Sequence, residues 1–371
     1  MLKVLMVGPD RTVQGGVSGV VNNYYKAGLD KKVGLKYIGT MVDGSKLAKL
    51  MKAISSYIQF RLVLGQYDIV HVNMAADASF YRKSFFIKAA LRKHKKLVIH
   101  QHGGDVKRFY GSMTGKKREK MVQLLNSCDA FLVLAPILYD FFRNIIDENK
   151  LHLLPNGVIV PDYDIEIKDY SNKNLLFLGR ICADKGINEL IEAAEHLHFK
   201  YPDMKLTLGG FFEEADLKHK CLSHPDYISC PGWIKGEDKI SLLKNSSIFV
   251  LPSYFEGMPL SPIEAMSYGC ACAVTAVGGM QQIFNNSLGI FGDVNPEDTQ
   301  SFAKEILIDA SNSDAVLYNA KDATSLEAAL DLLLSSDELR KQIGHNGRTT
   351  VLEKYDLKLI LDSLMEIYNT L

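Results

Sequence analysis

The chain is short of the features that would place it across a membrane, in an oxidising compartment or around a metal. None of its apolar runs approaches the roughly 18 residues that a membrane-spanning helix requires. The start, Met1-Leu2-Lys3-Val4-Leu5-Met6-Val7-Gly8, is too brief for a secretory leader and reads as a first buried strand. Six cysteines, at 128, 182, 221, 230, 270 and 272, show no Cys-x-x-Cys spacing, which fits reduced thiols in a cytosolic protein and argues against zinc. There is one tryptophan, Trp233. No solenoid repeat, low-complexity tract, Gly-x-Ser-x-Gly elbow or Ser-His-Asp arrangement is apparent. Gly111-Ser-Met-Thr-Gly115-Lys116-Lys117 is one residue short of a phosphate-binding loop and follows no strand.

Net charge is also absent, since 43 Lys and Arg balance 43 Asp and Glu. The balance conceals an asymmetry. Residues 1–160 hold 25 Lys and Arg against 11 Asp and Glu, and the rest of the chain holds 18 against 32. A basic half joined to an acidic half implies that the first half meets something anionic. No nucleic-acid motif accompanies the charge. An anionic membrane surface or a phosphate-bearing acceptor fits better, with a merely solvated surface as the plainer alternative.

At 371 residues the chain exceeds the usual size of a single core, so two domains are expected. Lys3–Val7, Asp68–Asn73, Leu97–His102 and Ala130–Leu134 are predicted as buried parallel strands with amphipathic segments between them, the rhythm of a doubly wound α/β sheet. That rhythm breaks over Pro155-Asn156-Gly157 to Lys173, rich in Pro, Asp and Asn. It restarts at Asn174–Gly179 and continues through Met204–Gly209, Tyr227–Cys230, Ser247–Leu251 and Ala271–Thr275. The expected organisation is a domain over 1–160, a linker over 161–173 and a second domain over 174–356. Asp162-Tyr163-Asp164 is a literal Asp-x-Asp, but its place beside Pro161 in the linker argues against metal binding.

The most informative stretch is Phe255-Glu256-Gly257-Met258-Pro259-Leu260-Ser261-Pro262-Ile263-Glu264-Ala265-Met266. A strand ending at Leu251 runs into a turn carrying Glu256 and Gly257. A helix is predicted to start at Ser261-Pro262, with Ser as N-cap and Pro at the first helical position. Two carboxylates, a Gly and a free helix N-terminus then converge at the carboxyl end of one strand. Open α/β sheets bind ligands there, and helix N-termini bind phosphates. The arrangement suits a nucleotide sugar, one carboxylate taking hydroxyls of the sugar and the other those of the ribose. Taken singly, either Glu would be an ordinary exposed acid.

The order Pro252-Ser253, Glu256-Gly257, Pro259-Leu260, Glu264-Ala265-Met266, Gly269 and Gly278-Gly279 resembles the signature of the retaining glycosyltransferases of family four, with Glu-x7-Glu at its centre. The resemblance implies the GT-B fold, two Rossmann-like doubly wound domains facing a central cleft, with the last helix, 357–371, crossing back to the first domain. Two departures stand out. Ala271-Cys272 takes the place of a common Pro-Val pair, and Gln282 the place often held by Glu. The segment Asn285–Val316 reads as an insertion before Val316–Asp322, which resembles the family's Pro-x-Asp loop.

Other motifs join this frame. Gly15-Gly16, with Gly19, lies between the first strand and an apolar helix, where backbone amides can reach an anion; tight helix–strand packing would explain the glycines equally. The resemblance places the pair near the donor diphosphate and acceptor. In His100-Gln101-His102-Gly103-Gly104-Asp105, strand alternation points both imidazoles the same way. A metal pair there lacks a third ligand by spacing. The family's His-x-His-Gly pattern implies that His102 bonds a hydroxyl of the transferred sugar. Arg180 and Lys185, in Gly179-Arg180-Ile181-Cys182-Ala183-Asp184-Lys185-Gly186, bracket a loop that opens a helix, and fixed cations there suit a leaving diphosphate. Trp233 belongs to a loop that in the family reads the nucleobase, though a buried core Trp is as consistent with the sequence.

The resemblance thus implies a metal-independent hexosyl transfer from a nucleoside diphosphate sugar, UDP- or GDP-linked, to an acceptor hydroxyl with retention. Glu264 would hold the ribose, Arg180 and Lys185 the diphosphate, the backbone of Gly257, Met258, Pro259 and Leu260 with the helix behind it would add dipole stabilisation, and Glu256 would bind the sugar without acting as a nucleophile. Val106-Lys107-Arg108-Phe109-Tyr110 and Lys116-Lys117-Arg118-Glu119-Lys120 interleave aromatics with cations, and Lys46–Leu64 and Lys83–Lys96 are basic and amphipathic. These segments favour a polyprenyl-diphosphate-linked glycan at the cytoplasmic face of the membrane, as in capsule or exopolysaccharide assembly. A soluble acceptor, a GT-B epimerase or phosphorylase, and a non-catalytic sugar-nucleotide-binding partner are the alternatives.

Overall fold

The computed structural model describes residues 1–103, 106–284, 286–290 and 310–371. The chain divides into two compact units, Met1–Ile159 with Tyr355–Leu371, and Val160–Lys354. The first holds a six-stranded sheet: β1 (Lys3–Gly8), β2 (Gly34–Gly39), β3 (Ile69–Met74), β4 (Lys96–Gln101), β5 (Ala130–Val133) and β6 (Leu151–Leu153). All pair in parallel, in the order β2-β1-β3-β4-β5-β6. Runs such as Val4–Val7 and Leu97–Ile99 are apolar on both faces and wholly buried, as parallel strands covered by helices on both sides must be. The strands β2 and β6 were not foreseen: β2 is a half-buried edge, and β6 is three residues long.

Helices α1 (Gly16–Lys26), α2 (Leu29–Lys32), α3 (Lys46–Val63), α4 (Ala78–Arg92), α5 (Val106–Ser112), α6 (Gly115–Asn126) and α7 (Pro136–Phe142) link these strands. The C-terminal helix Leu357–Thr370 belongs to this unit and packs on α1. It is tied at its start by Val158, whose amide donates to Tyr355 O and whose carbonyl accepts from Leu357, both at 2.9 Å. Leu357, Ile360, Leu361 and Leu364 are buried, and Tyr368 meets His71 of β3, hydroxyl to Nδ1, at 2.6 Å.

The second unit holds β7 (Asn174–Leu178), β8 (Lys205–Gly209), β9 (Ile228–Gly232), β10 (Ile248–Leu251), β11 (Ala271–Thr275), β12 (Ser287–Ile290) and β13 (Ala315–Tyr318). Their order is β12-β13-β11-β10-β7-β8-β9. Helices α8 (Ile187–Lys200), α9 (Ala215–Leu222), α10 (Gly236–Asn245) and α11 (Leu260–Ser267) connect them. Strand order reverses between β7 and β10, so the loops leaving those two strands diverge and open a crevice at their carboxyl ends.

Residues 161–173, expected as a linker, are packed into this second unit. Lys168 is buried and donates from Nζ to Leu243 O at 3.0 Å and Lys244 O at 3.2 Å. The wholly buried Arg340 donates to Tyr170 O from Nε at 2.9 Å and from Nη2 at 2.6 Å, and Arg348 reaches Pro161 O at 3.1 Å. Buried cations need acceptors, and an irregular segment has carbonyls free to supply them. Within it Asp164 accepts from the Glu166 amide at 3.0 Å, a local turn.

The segment read as an insertion, Asn285–Val316, contributes β12, which pairs in parallel with β13. Asn285 and positions 291–309 of it lie outside the described residues, as do Gly104 and Asp105. The loop expected over Val316–Asp322 is strand as far as Tyr318, and Asp322 then caps the helix Ala323–Ser335 by accepting from the Ser325 amide at 3.0 Å.

Candidate active site

In the second unit, glycines decide how closely the loops leaving β7 and β10 can approach. Gly186 ends the β7 loop with φ +68°, and a Cβ there would lie 2.0 Å from Pro252 O. Gly278 has φ +54°, and its Cβ would lie 2.0 Å from Glu256 O. No other residue fits either place without moving backbone. The Gly279 amide donates to that same Glu256 carbonyl at 3.2 Å, and Thr275 Oγ1 donates to Ser253 O at 2.6 Å.

These approaches bring Lys185 onto Glu256. Lys185 Nζ donates to Glu256 Oε1, and Ser253 Oγ donates to the same oxygen at 2.8 Å. Both charged side chains are largely buried, 17% and 12% exposed, so the pair is only weakly screened. Next to it, Tyr254 donates through its hydroxyl to Glu189 Oε1 at 2.5 Å, and its ring lies under Lys321.

Helix α11 starts two residues before the position read from sequence, and its cap is different. Pro259 is the N-cap, with φ −70° and ψ 143°, and Ser261 and Pro262 lie inside the first turn. Pro262 is tolerated there because first-turn amides have no intrahelical acceptor. Gly257, Met258, Pro259 and Leu260 form the approach to this helix. Glu264 accepts both oxygens' bonds from Lys239 Nζ of α10, at 2.8 and 2.9 Å.

Arg180, read as a cation for the leaving diphosphate, is already engaged by Glu213, Nη1 lying 2.8 Å from each carboxylate oxygen. That carboxylate holds the guanidinium pKa above its usual value. The sequence alternative of a core tryptophan does not hold: Trp233 is 40% exposed, beside the Phe211 ring at 5.6 Å.

In the first unit, α1 begins at Gly16 with Gly15 as its cap, and an added Cβ on either meets nothing within 4 Å. Packing therefore does not require these glycines, and the helix start is uncovered. At the end of β4, the His100 and His102 rings lie tilted together at 3.9 Å, with His71 behind at 5.4 Å from His100. The Asn73 amide donates to Val7 O at 3.3 Å, which turns Oδ1 toward His102 Nε2 at 2.7 Å. An amide oxygen only accepts, so Nε2 carries the proton and Nδ1 keeps its lone pair. Among the described residues Nδ1 has no partner. Burial pushes the His102 pKa down to about 3, with His71 and Lys83 adding to the shift, and burial takes His71 to about 3. His100 falls well below its usual value, through burial first and then His102 and His71. Lys83 is wholly buried, donates to Thr40 Oγ1 and is held well below the usual lysine range by burial and by Arg82.

The structure thus joins Lys185 with Glu256 and sets Arg180 and Glu264 each on a separate partner in the same unit. His102, Gly15 and Gly16 lie in the other unit. Sequence reasoning missed Ser253, Glu213, Lys239 and Asn73. Ser253 stood inside the quoted signature, whereas the other three carried no motif at all. Among the described residues no three His, Cys, Asp or Glu side chains gather as a metal site, and no helix is long and apolar enough to cross a membrane.

The family model described as Glycosyl transferases group 1 matches residues 162–308, and Glycosyltransferase Family 4 matches residues 29–160. The capsular polysaccharide biosynthesis glycosyltransferase CapM of Staphylococcus aureus is 26% identical over 61% of the chain, which spans only 57% of that protein's length. The UDP-Gal:alpha-D-GlcNAc-diphosphoundecaprenol alpha-1,3-galactosyltransferase of Escherichia coli is 27% identical over 95% of the chain and 86% of its own. HepE of Anabaena, solved in complex with UDP, superposes over the whole of both chains with a TM-score of 0.69 at 13% identity. With two parallel α/β units of GT-B type and both family models matched in sequence order over residues 29–160 and 162–308, the chain belongs to the family 4 glycosyltransferases.

Proposed function

We propose that the protein transfers a sugar from a nucleoside diphosphate donor, UDP- or GDP-linked, to a hydroxyl of a polyprenyl-diphosphate-linked glycan, with retention at the anomeric carbon. The setting would be assembly of a bacterial surface polysaccharide at the inner face of the plasma membrane. The observation that carries the donor reading is the Lys185–Glu256–Ser253 cluster at the β7/β10 reversal, beside the start of α11. The E. coli relative, named for a diphosphoundecaprenol-linked substrate, supports the acceptor class, and UDP bound to HepE supports the donor class.

In this reading Glu256 binds hydroxyls of the transferred sugar and Lys185 turns to the diphosphate. Arg180 exchanges Glu213 for the same group, Glu264 takes the ribose, and the loop at Trp233 faces the base. The neutral His102 offers its Nδ1 lone pair to a sugar O–H. The bond from the anomeric carbon to the diphosphate oxygen breaks with its electron pair leaving on that oxygen. The acceptor oxygen bonds the same face, and its proton passes to the departing phosphate. Lys185, Arg180 and the α11 dipole stabilise the charge that develops, a task for which no metal ion is needed.

A panel of nucleotide sugars read by thermal shift tests the donor. A ligand present at about 100 times its Kd adds about 2.7 kcal/mol of stability. The stabilising donor is then assayed for transfer to polyprenyl-linked and to water-soluble acceptors in chelator. Transfer to soluble acceptors alone, or turnover that depends on phosphate, would overturn the reading.

A further inference from the structure

Helix α3 faces the wrong way for a helix of a globular core. Its apolar residues Leu47, Leu50, Met51, Ile54, Ile58 and Leu62 recur at three- and four-residue spacing and so share one face. Such a stripe ordinarily packs inward. Here all six are exposed, Leu47 by 68% and Leu62 by 76%, and the opposite face, through Ser56 and Phe60, is the buried one. Helix α4 continues the surface. Tyr81 and Phe85 are 54% and 61% exposed, and Lys88 and Arg92 follow on the same row. The Tyr57 and Phe85 rings, 6.4 Å apart edge to face, join the two helices.

The charge of this surface has one sign. Neither α3 nor α4 contains an Asp or Glu, whereas Lys46, Lys49, Arg61, Lys88 and Arg92 are exposed on them. Arg61 lies on the apolar face itself. Three acids lie nearby: Asp10 pairs with Lys52 of α3 itself at 2.8 Å, Asp77 with Arg108 at 3.1 Å, and the exposed Asp43 before α3 accepts from the Gln14 amide at 3.4 Å. A second copy of the chain is a poor occupant, because a self-complementary interface would set this cationic surface against itself. An apolar ridge flanked by cations in excess complements a bilayer whose headgroups are anionic.

We infer that α3, with the Tyr81–Arg92 row of α4, is the element by which this chain docks on an anionic lipid surface. The helix lies along the bilayer with Leu47–Leu62 among the acyl chains and the lysines and arginines at the phosphates. This extends the lipid-linked acceptor reading by naming a surface for it, and the two can fail separately.

The test is co-sedimentation of the full chain with vesicles of phosphatidylcholine, with and without phosphatidylglycerol. The triple variant Leu50→Ser, Ile54→Ser, Ile58→Ser should weaken binding about tenfold or more, since each side chain withdrawn from lipid loses a hydrophobic contribution. Its melting temperature should hold, because the three side chains are exposed. Lys46→Glu with Arg61→Glu should abolish the preference for phosphatidylglycerol. Both variants should keep wild-type transfer to a water-soluble acceptor analogue. Wild-type vesicle binding by both variants would overturn the inference, as would loss of a concentration-dependent dimer in place of vesicle binding. Vesicle binding by a chain that glycosylates no polyprenyl-linked acceptor would support the docking surface and overturn the acceptor reading.

Discussion

Lys185 and Glu256 answer each other across a reversal in strand order, and their partly buried pair makes both sensitive to substitution. Removing one partner leaves the other's charge poorly solvated. Lys185→Ala should lower kcat/KM by about 100-fold or more, the usual cost of losing a donor to developing charge. Glu256→Ala should act similarly through the lost hydroxyl contact, and circular dichroism should show both folded. Near-wild-type turnover in either would remove the pair from the site. Lys239→Ala is expected to behave differently. It frees Glu264, assigned to the ribose far from the reacting atoms, so donor KM should rise while kcat changes little.

At the scale of elements, the loops leaving β7 and β10 are placed by glycines more than by side-chain bonds. Gly278→Ala should be costly twice over, through its left-handed φ and through the 2.0 Å approach to Glu256 O. Expected are a fall in melting temperature and loss of transfer, because relieving the contact moves Glu256. If Gly278→Ala retained wild-type donor affinity by thermal shift, that carbonyl approach would not be positioning the site. The N-terminus of α11 owes its order to Pro259 rather than to a side-chain cap, which leaves its first amides open to a ligand.

Across the whole molecule, the clustered imidazoles His71, His100 and His102 of the first unit make stability depend on pH. His71 and His102 titrate near 3 when folded and near 6.5 when unfolded, so the unfolded chain binds more protons between those values. Their contribution is complete above about pH 6.5 and declines as pH falls, by at most about 1.4 kcal/mol per pH unit for each imidazole. Melting temperature should therefore drop between pH 7.5 and pH 5, and the drop should shrink in His71→Phe. A flat profile would mean that these rings accept protons in the folded state. Truncation after Lys354 removes the buried Leu357, Ile360, Leu361 and Leu364, each worth about 1.5–3 kcal/mol. That sum rivals the total stability of a domain. The truncated chain should melt in two steps, with donor shifting only the upper one.

The strands were readable in the sequence because parallel strands buried on both faces are continuous apolar runs; β1, β3, β4 and β7 stood out for that reason. The edge β2 and the short β6 lacked such runs. The Glu-x7-Glu signature named the donor-side residues, since a site built on one strand–turn–helix keeps its parts close in the chain. Glu213, Lys239 and Asn73 were invisible because they reach Arg180, Glu264 and His102 only through the fold. Helix α3 marks the division most clearly. Its three- and four-residue spacing was written in the sequence and sufficed to say that one face was apolar. Which way that face points depends on what else covers the sheet, and Phe60 takes the core position. Periodicity defines a face, and only packing decides whether that face meets the core or the solvent.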